Sequence, residues 1–279
     1  MIKKKIEKYK KIYKLFGYKG VIYKFLRKLK LIEKHDYFIS ERKKFIDNKI
    51  INISQKKVLY GPYKGTFFST LTNWSSDDIS SKLLGQYESQ IQEKILIEQK
   101  KYNLKNFVNF GAAEGFHIIS LIKNNYFKKG FAFEIDKKSK YYLDQNIVAN
   151  NLSNKIFSYF EANFDIVFKD LTESEFNKTL FLIDIEGEEF NILNENILKK
   201  LKQSFLIIEY HDFLFKNKQL IRQFEELIKK NFNLEYIYNS GRNPHSLDIL
   251  DKFSDDDKWL IMSECRPQTH KWIYLSPKH

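Results

Sequence analysis

The stretch FVNFGAAEGFHIISLI, Phe107–Ile122, sets the reading of the whole chain. An apolar run stops at Gly111, four residues later Gly115 follows, and an apolar-periodic segment begins. That pattern predicts a strand handing over to a helix through a tight turn. Glycine suits such a turn because it accepts positive φ and lets a ligand approach the backbone. A plain structural turn and a cofactor cradle both satisfy the pattern.

Outward from this unit the chain alternates. Strand-like runs are predicted at Phe107–Phe110, Gly130–Phe133, Ile156–Phe160, Leu180–Ile185 and Phe205–Tyr210, with helical segments at 115–124, 137–151, 188–201 and 216–230. This alternation predicts a parallel sheet covered on both faces. Leu234–Tyr238, Trp259–Ser263 and Trp272–Leu275 lack such helices between them and predict an antiparallel finish. Upstream, VLYGPYKGTFFSTLTNW reads as short strands with Gly-Pro and Lys-Gly turns. DDISSKLLGQYESQIQEKILIEQKKY reads as one helix with acidic residues near its start.

Composition sets outer bounds. With 279 residues, 43% of them hydrophobic, the chain has ample material for a sizeable core. The single cysteine, Cys265, excludes an internal disulfide and a multi-cysteine zinc site and fits a reducing compartment. No stretch approaches the ~20 consecutive apolar residues of a membrane span, and no signal-peptide run is present. A cytoplasmic location is expected.

The net charge of +13 is unevenly placed: residues 1–50 carry 17 basic against 5 acidic residues, and the remainder 31 against 30. Apolar residues at Ile6, Tyr9, Ile12, Tyr13, Leu15 and Phe16, then Val21, Ile22, Phe25, Leu26, Leu29 and Leu31, describe amphipathic helices broken near Gly17 and Gly20. Packing on the body with a lysine face in solvent is one reading. Docking on an anionic membrane surface is another. Nucleic acid ranks below both, because the balanced body offers no continuation of the basic track. The expected divisions are 1–50, a basic helical extension; 51–100, a lead-in and lid; and 101–279, the main domain.

The second strand narrows the ligand. GFAFEID places Glu134 at a strand tip, 19 residues beyond Gly115. A carboxylate there accepts hydrogen bonds from ribose hydroxyls. The loop is G-x-x-x-G and not G-x-G-x-x-G, whose central glycine makes room for a pyrophosphate. A cofactor with a ribose and no phosphates fits, and S-adenosylmethionine is the candidate.

NFGAAEGFHIISLI, FEIDKKSKYYLDQNIVANN, FLIDIEGEEFNIL and LIIEYHD together resemble the successive motifs of FkbM-type, S-adenosylmethionine-dependent methyltransferases, and LLGQYESQI resembles the segment before their core. The resemblance covers roughly residues 56–240. It implies a Rossmann-like, doubly wound, seven-stranded α/β sheet with antiparallel C-terminal strands. It implies O-methylation of a hydroxyl on a sugar, glycan or glycolipid precursor. Nucleic-acid methylation and a non-catalytic, membrane-associated relative are the alternatives. Cofactor contacts are expected from Asn109, Gly111, Glu114, Gly115, Glu134, Asn163 and Asp184. Family members carry an acid where this chain has Asn109, two positions before the first loop glycine.

The chemistry is expected at the ends of the fourth and fifth strands. Asp184 is a carboxylate in an apolar strand context, and IIEYHD offers Glu209, His211 and Asp212. His211 is the expected general base, since histidine accepts a proton near neutral pH. A divalent site such as Mg²⁺ on Asp184, Glu209 and Asp212 is the alternative, because hard cations take oxygen ligands. Tyr87 and Glu88 are expected near the acceptor or the methionine end. Arg242, His245 and Arg266 are expected in an acceptor pocket. His117, Trp259 and Trp272 are expected to be packing residues.

Overall fold

The structure, a computed structural model, describes residues 2–28, 37–71, 78–264, 266 and 270–278. Cys265, the junction between the basic helices and the end of the strand reading near residue 76 lie outside the described residues.

Helix α1 (Ile2–Lys28) is interrupted at Gly17 (φ 62°, ψ −162°), whereas Gly20 is helical, so one of the two expected breaks occurs. Helix α2 spans Tyr37–Ser54. Among the described residues, the expected strands that follow reduce to a single bridge between Lys57 and Phe67. The one helix expected next is two, α3 (Ile79–Leu83) and α4 (Ser89–Tyr102). They are separated by Gly85 (φ 70°) and by Glu88 in the left-handed region (φ 47°).

The body then runs β1 (Asn106–Phe110), α5 (Phe116–Lys123), β2 (Lys129–Phe133), α6 (Lys137–Ala149) and β3 (Ile156–Tyr159). It continues with α7 (Phe164–Asp170), α8 (Glu173–Phe176), β4 (Thr179–Ile183), α9 (Glu189–Ile192), α10 (Glu195–Lys200) and β5 (Phe205–Glu209). Last come α11 (Lys218–Asn231), β6 (Phe232–Tyr238), α12 (Asp255–Met262) and β7 (Lys271–Pro277). The sheet order is β3-β2-β1-β4-β5-β7-β6. The first five strands are parallel, and β7 enters antiparallel between β5 and β6. This is the doubly wound, Rossmann-like sheet with an antiparallel finish that the alternation predicts.

Period-2 side-chain alternation sends each strand into two cores. Phe107, Leu180, Leu182, Phe205 and Ile207 join α4, α5 and α6 on one face. Val108, Phe110, Phe181, Ile183, Leu206 and Ile208 join α7, α8, α10 and α11 on the other. A third cluster gathers Ile46 and Ile50 of α2 with Leu83, Leu84, Leu250, Ile261 and Met262. Arg42 clamps the same joint, with Nε 2.8 Å from Asp257 Oδ1.

Two expectations are corrected in the tail. Trp259–Ser263 is not a strand, because Ser254 caps α12 by accepting from Asp257 N and three aspartates occupy its first turn, where the helix dipole favours negative charge. Trp259 consequently lies outside the core, 54% exposed, while Trp272 is buried as expected.

Candidate active site at the carboxyl edge of the sheet

The winding reverses between β1 and β4, and there the two strand tips nearly touch. Asp184 N donates to Phe110 O at 3.0 Å. A Cβ on Gly111 would stand 1.6 Å from Asp184 O. At Gly115 a Cβ would meet Ile119 Cδ1 at 2.5 Å and Leu143 Cδ1 at 2.7 Å. Both glycines have positive φ, 75° and 93°. The need for glycine at each position therefore arises from the protein's own atoms.

Glu134 follows β2 directly and is buried. Its Oε2 accepts from Ala113 N and its Oε1 from Asp136 N, each at 2.7 Å. One carboxylate thus ties the glycine loop to the next turn. Among the described residues it has no ion pair, and each oxygen retains a second lone pair for a hydroxyl donor. Burial pushes its pKa above the usual carboxylate range, although the two amides oppose the shift.

The other expected cofactor residues differ in their surroundings. Asn109 is buried in β1, with Nδ2 3.4 Å from Leu182 O. Glu114 is buried beside Lys82 Nζ (2.6 Å), which also pairs with Asp78 (2.9 Å). Burial disfavours the lysine charge, but Asp78 and Glu114 outweigh it and raise its pKa. Asn163 is exposed and caps α7, accepting from Asp165 N at 2.8 Å.

Across the switch point, four carboxylates surround one imidazole. Asp184 follows β4; Glu186 (φ 54°) and Gly187 (φ 103°) turn the chain; Glu189 opens α9. Glu189 is fully buried, with Oε2 accepting from Gly187 N (2.9 Å) and Oε1 standing 2.8 Å from His211 Nδ1. With Nδ1–H donating to Glu189, Nε2 is the acceptor in the neutral ring. Nε2 lies 3.6 Å from Glu186 Oε2, 3.7 Å from Glu209 Oε2 and 3.9 Å from Asp184 Oδ1. Both Nε2 and Asp184 Oδ1 are buried and make no hydrogen bond.

The electrostatics follow from this crowding. Burial pushes the Asp184 pKa well up, and the neighbouring Glu209 charge adds to it. Burial opposes the His211 charge, but Glu189, then Glu209 and Glu186, raise its pKa above 6.5. Glu209 behaves oppositely: burial disfavours its charge, yet His270 and Arg266 lower its pKa to about 2.

The Glu209 partners come from the tail. His270 Nδ1 lies 2.6 Å from Glu209 Oε1, and Arg266 pairs with Glu209 and Glu88. Arg266 Nη2 also donates to Tyr87 Oη at 3.2 Å. From Glu88 the chain continues to His117 Nε2 (2.9 Å) and on to Tyr63 Oη (3.0 Å). His117, read as packing, is thus a buried member of a polar relay. Arg242 and Arg266 both hold Glu264, whereas His245 is exposed beside Asp255.

Asp212, expected beside Asp184 and Glu209, instead pairs with Lys271 Nζ at 2.8 Å. Histidines stand where it was expected. Glu209, His211 and His270 form one group, and Asp184, Glu186 and His211 another, each with one ligating atom per residue within 4.8 Å of the others. His270 carries no sequence signal beyond preceding an apolar strand, and Glu189 lies at the start of the helical segment predicted over 188–201. The edge combines a buried acceptor beside the switch point with a proton-accepting cluster at the tips of β4 and β5. That pairing can hold a polyhydroxyl ligand and take a proton from a neighbouring molecule.

No protein-family model matches the chain, and no curated protein matches it. Among solved structures, the chain is similar to an O-methyltransferase from Bacillus cereus in complex with SAH, at 12% identity and TM-score 0.45, over 92% of this chain and 97% of that one. It is also similar to TYW2 of M. jannaschii in complex with AdoMet, at 15% identity and TM-score 0.41, over 73% and 77%. At these scores the likeness says nothing about activity, and the fold stands on the chain's own strand order.

Proposed function

We propose that this chain is an S-adenosylmethionine-dependent methyltransferase that modifies a hydroxyl on a sugar, glycan or glycolipid precursor. The observation that carries the reading is Glu134: a buried carboxylate at the carboxyl end of β2, beside the switch point, with lone pairs left for two ribose hydroxyls. The sugar acceptor is what the FkbM-type resemblance implies.

S-adenosylmethionine supplies an activated methyl group to an in-line displacement. What the protein must add is alignment and a deprotonated acceptor. Glu134 would hold the ribose hydroxyls, the 111–115 loop with Asn109 and Glu114 would face the methionine portion, and Asn163 would face the adenine. Asp184 would stand near the acceptor, whose hydroxyl proton would pass to His211 Nε2, the nitrogen that Glu189 leaves free to accept by taking Nδ1–H.

Isothermal titration with S-adenosylmethionine and S-adenosylhomocysteine tests the first half. Binding of either, with a rise in Tm, is expected; no heat and no thermal protection would remove the reading. Transfer of a tritiated methyl group to a panel of nucleotide sugars and glycolipids tests the second half.

Peripheral contact with an anionic membrane from the cytoplasmic side is part of the same proposal. It is supported by α1, where Tyr13, Tyr18, Ile22 and Phe25 are exposed on a lysine-rich helix. Flotation of the full chain with phosphatidylglycerol vesicles, set against phosphatidylcholine alone, decides it.

A further inference from the structure

We infer that the cluster at the tips of β4 and β5 is a binding site for one divalent transition-metal ion, held by His211 Nε2, Asp184 and Glu186, with Glu209 Oε2 on its inner side. The inference starts from a deficit. His211 is 1% exposed, and its Nε2 is buried without a hydrogen-bond partner. Buried polar atoms are nearly always satisfied, so an orphan needs a reason. This one points into a space bounded by three carboxylates, and one of them, Asp184 Oδ1, is itself a buried orphan.

The spacing suits a shared cation better than mutual hydrogen bonds. Nε2 stands 3.6, 3.7 and 3.9 Å from the three oxygens, beyond hydrogen-bonding reach. Ligands placed about 2.1 Å from a common ion are separated by roughly 3 to 4 Å. The far side of the ring is also built for ligation. Glu189 Oε1 takes Nδ1–H at 2.8 Å and is fully buried, giving the carboxylate–histidine pair that fixes the tautomer and orientation of metal-binding imidazoles. Glu189 is itself held by Gly187 N, on the turn that carries Glu186.

The donor set selects the ion class. One imidazole with carboxylates suits Mn²⁺, Fe²⁺, Co²⁺ or Zn²⁺; Ca²⁺ and Mg²⁺ prefer oxygen alone. Arg266 and His270 occupy Glu209 Oε1, which leaves Oε2 facing the site. Asp212 takes no part, since Lys271 holds it.

The site deepens the methyltransferase reading and rests on it for its purpose: a bound cation would lower the pKa of an acceptor hydroxyl, and in the metal-loaded protein, with Nε2 ligating, the proton would leave to water instead of to His211. Its existence, however, is testable without any cofactor.

The test is titration of EDTA-treated full-length protein with MnCl₂, with free Mn²⁺ followed by electron paramagnetic resonance and ligand nitrogen by spin-echo modulation. One Mn²⁺ per chain with a single imidazole coupling is expected. Glu186→Gln, on a side chain 69% exposed and so neutral to folding, is expected to weaken binding at least ~10-fold. Glu189→Gln is expected to weaken it about 10- to 100-fold. Asp212→Asn is expected to leave it unchanged. No binding by folded wild-type protein, binding without nitrogen coupling, or binding indifferent to Glu186→Gln and Glu189→Gln would each overturn the site. S-adenosylmethionine titration of the same samples separates the two proposals: cofactor binding without Mn²⁺ removes the metal alone, and Mn²⁺ binding without cofactor removes the methyltransferase reading alone.

Discussion

Glu134 and Asp184 follow the two strands that flank β1, and their carboxylates meet opposite fates. Glu134 receives an amide on each oxygen, both at 2.7 Å. Asp184 Oδ1 is buried with no donor and shares its space with Glu209 and Glu186. Burial raises both pKa values, but only Asp184 also suffers strong like-charge crowding. The first corner is completed by the protein's own backbone and offers fixed acceptors to a ligand. The second is left incomplete, which is where chemistry and cation binding have most to gain.

Substitutions can break or sharpen this contrast. The largest effect is expected from His211→Asn: methyl transfer, measured as S-adenosylhomocysteine release, should fall about 10²- to 10⁴-fold while titration shows cofactor affinity unchanged. An equal loss of affinity would merge the two corners into one site. Glu134→Gln should do the reverse, weakening S-adenosylmethionine binding about 10- to 100-fold through loss of charged hydrogen bonds. It should also flatten a pH dependence. Wild-type affinity should decline as pH falls through a value above 4.5, because burial lets Glu134 take up its proton early.

Asp184→Asn should stabilise the EDTA-treated protein by about 1 kcal/mol, since the raised pKa makes the carboxyl take up a proton on folding near neutral pH and the amide needs none. A fall in Tm would mean that Asp184 is satisfied after all. The smallest effect is expected for a satisfied acid far from the edge. Asp257 is held below 3.8 by its hydrogen bonds to Arg42, so the pair contributes stability above that pH and loses it as pH falls through the folded-state pKa. Arg42→Ala should cost at most about 1 kcal/mol near neutral pH. Its Tm difference from wild type should vanish on acidification below the depressed pKa.

How much of this was legible in the sequence depended on distance along the chain. The five parallel strands announce themselves because strands buried on both faces read as unbroken apolar runs. Asp184, Glu209 and His211 stand out because polar residues directly follow such runs. α7 and α8 were missed because they are short, and short turns of helix carry little periodicity. α12 was misread because Trp259–Ser263 looks strand-like in isolation; the Ser254 cap and the three aspartates decide otherwise. The partnership of Arg266 with Glu88, 178 residues away, has no local signal at all. Nor does the 61-residue reach of His270 to Glu209. Only the antiparallel entry of β7 beside β5 brings that tail to the edge.

The joint between α2 and α12 bears on how the protein is made. Ile46 and Ile50 leave the ribosome more than 200 residues ahead of Ile261 and Met262, which complete their cover. At 5–20 residues per second, the intervening stretch takes roughly 10 to 40 seconds to synthesise. During that interval, of the buried residues in the cluster, only Leu83 and Leu84 can cover α2, and the part that Leu250, Ile261 and Met262 complete stays open to chaperones and to aggregation between neighbouring chains on one message.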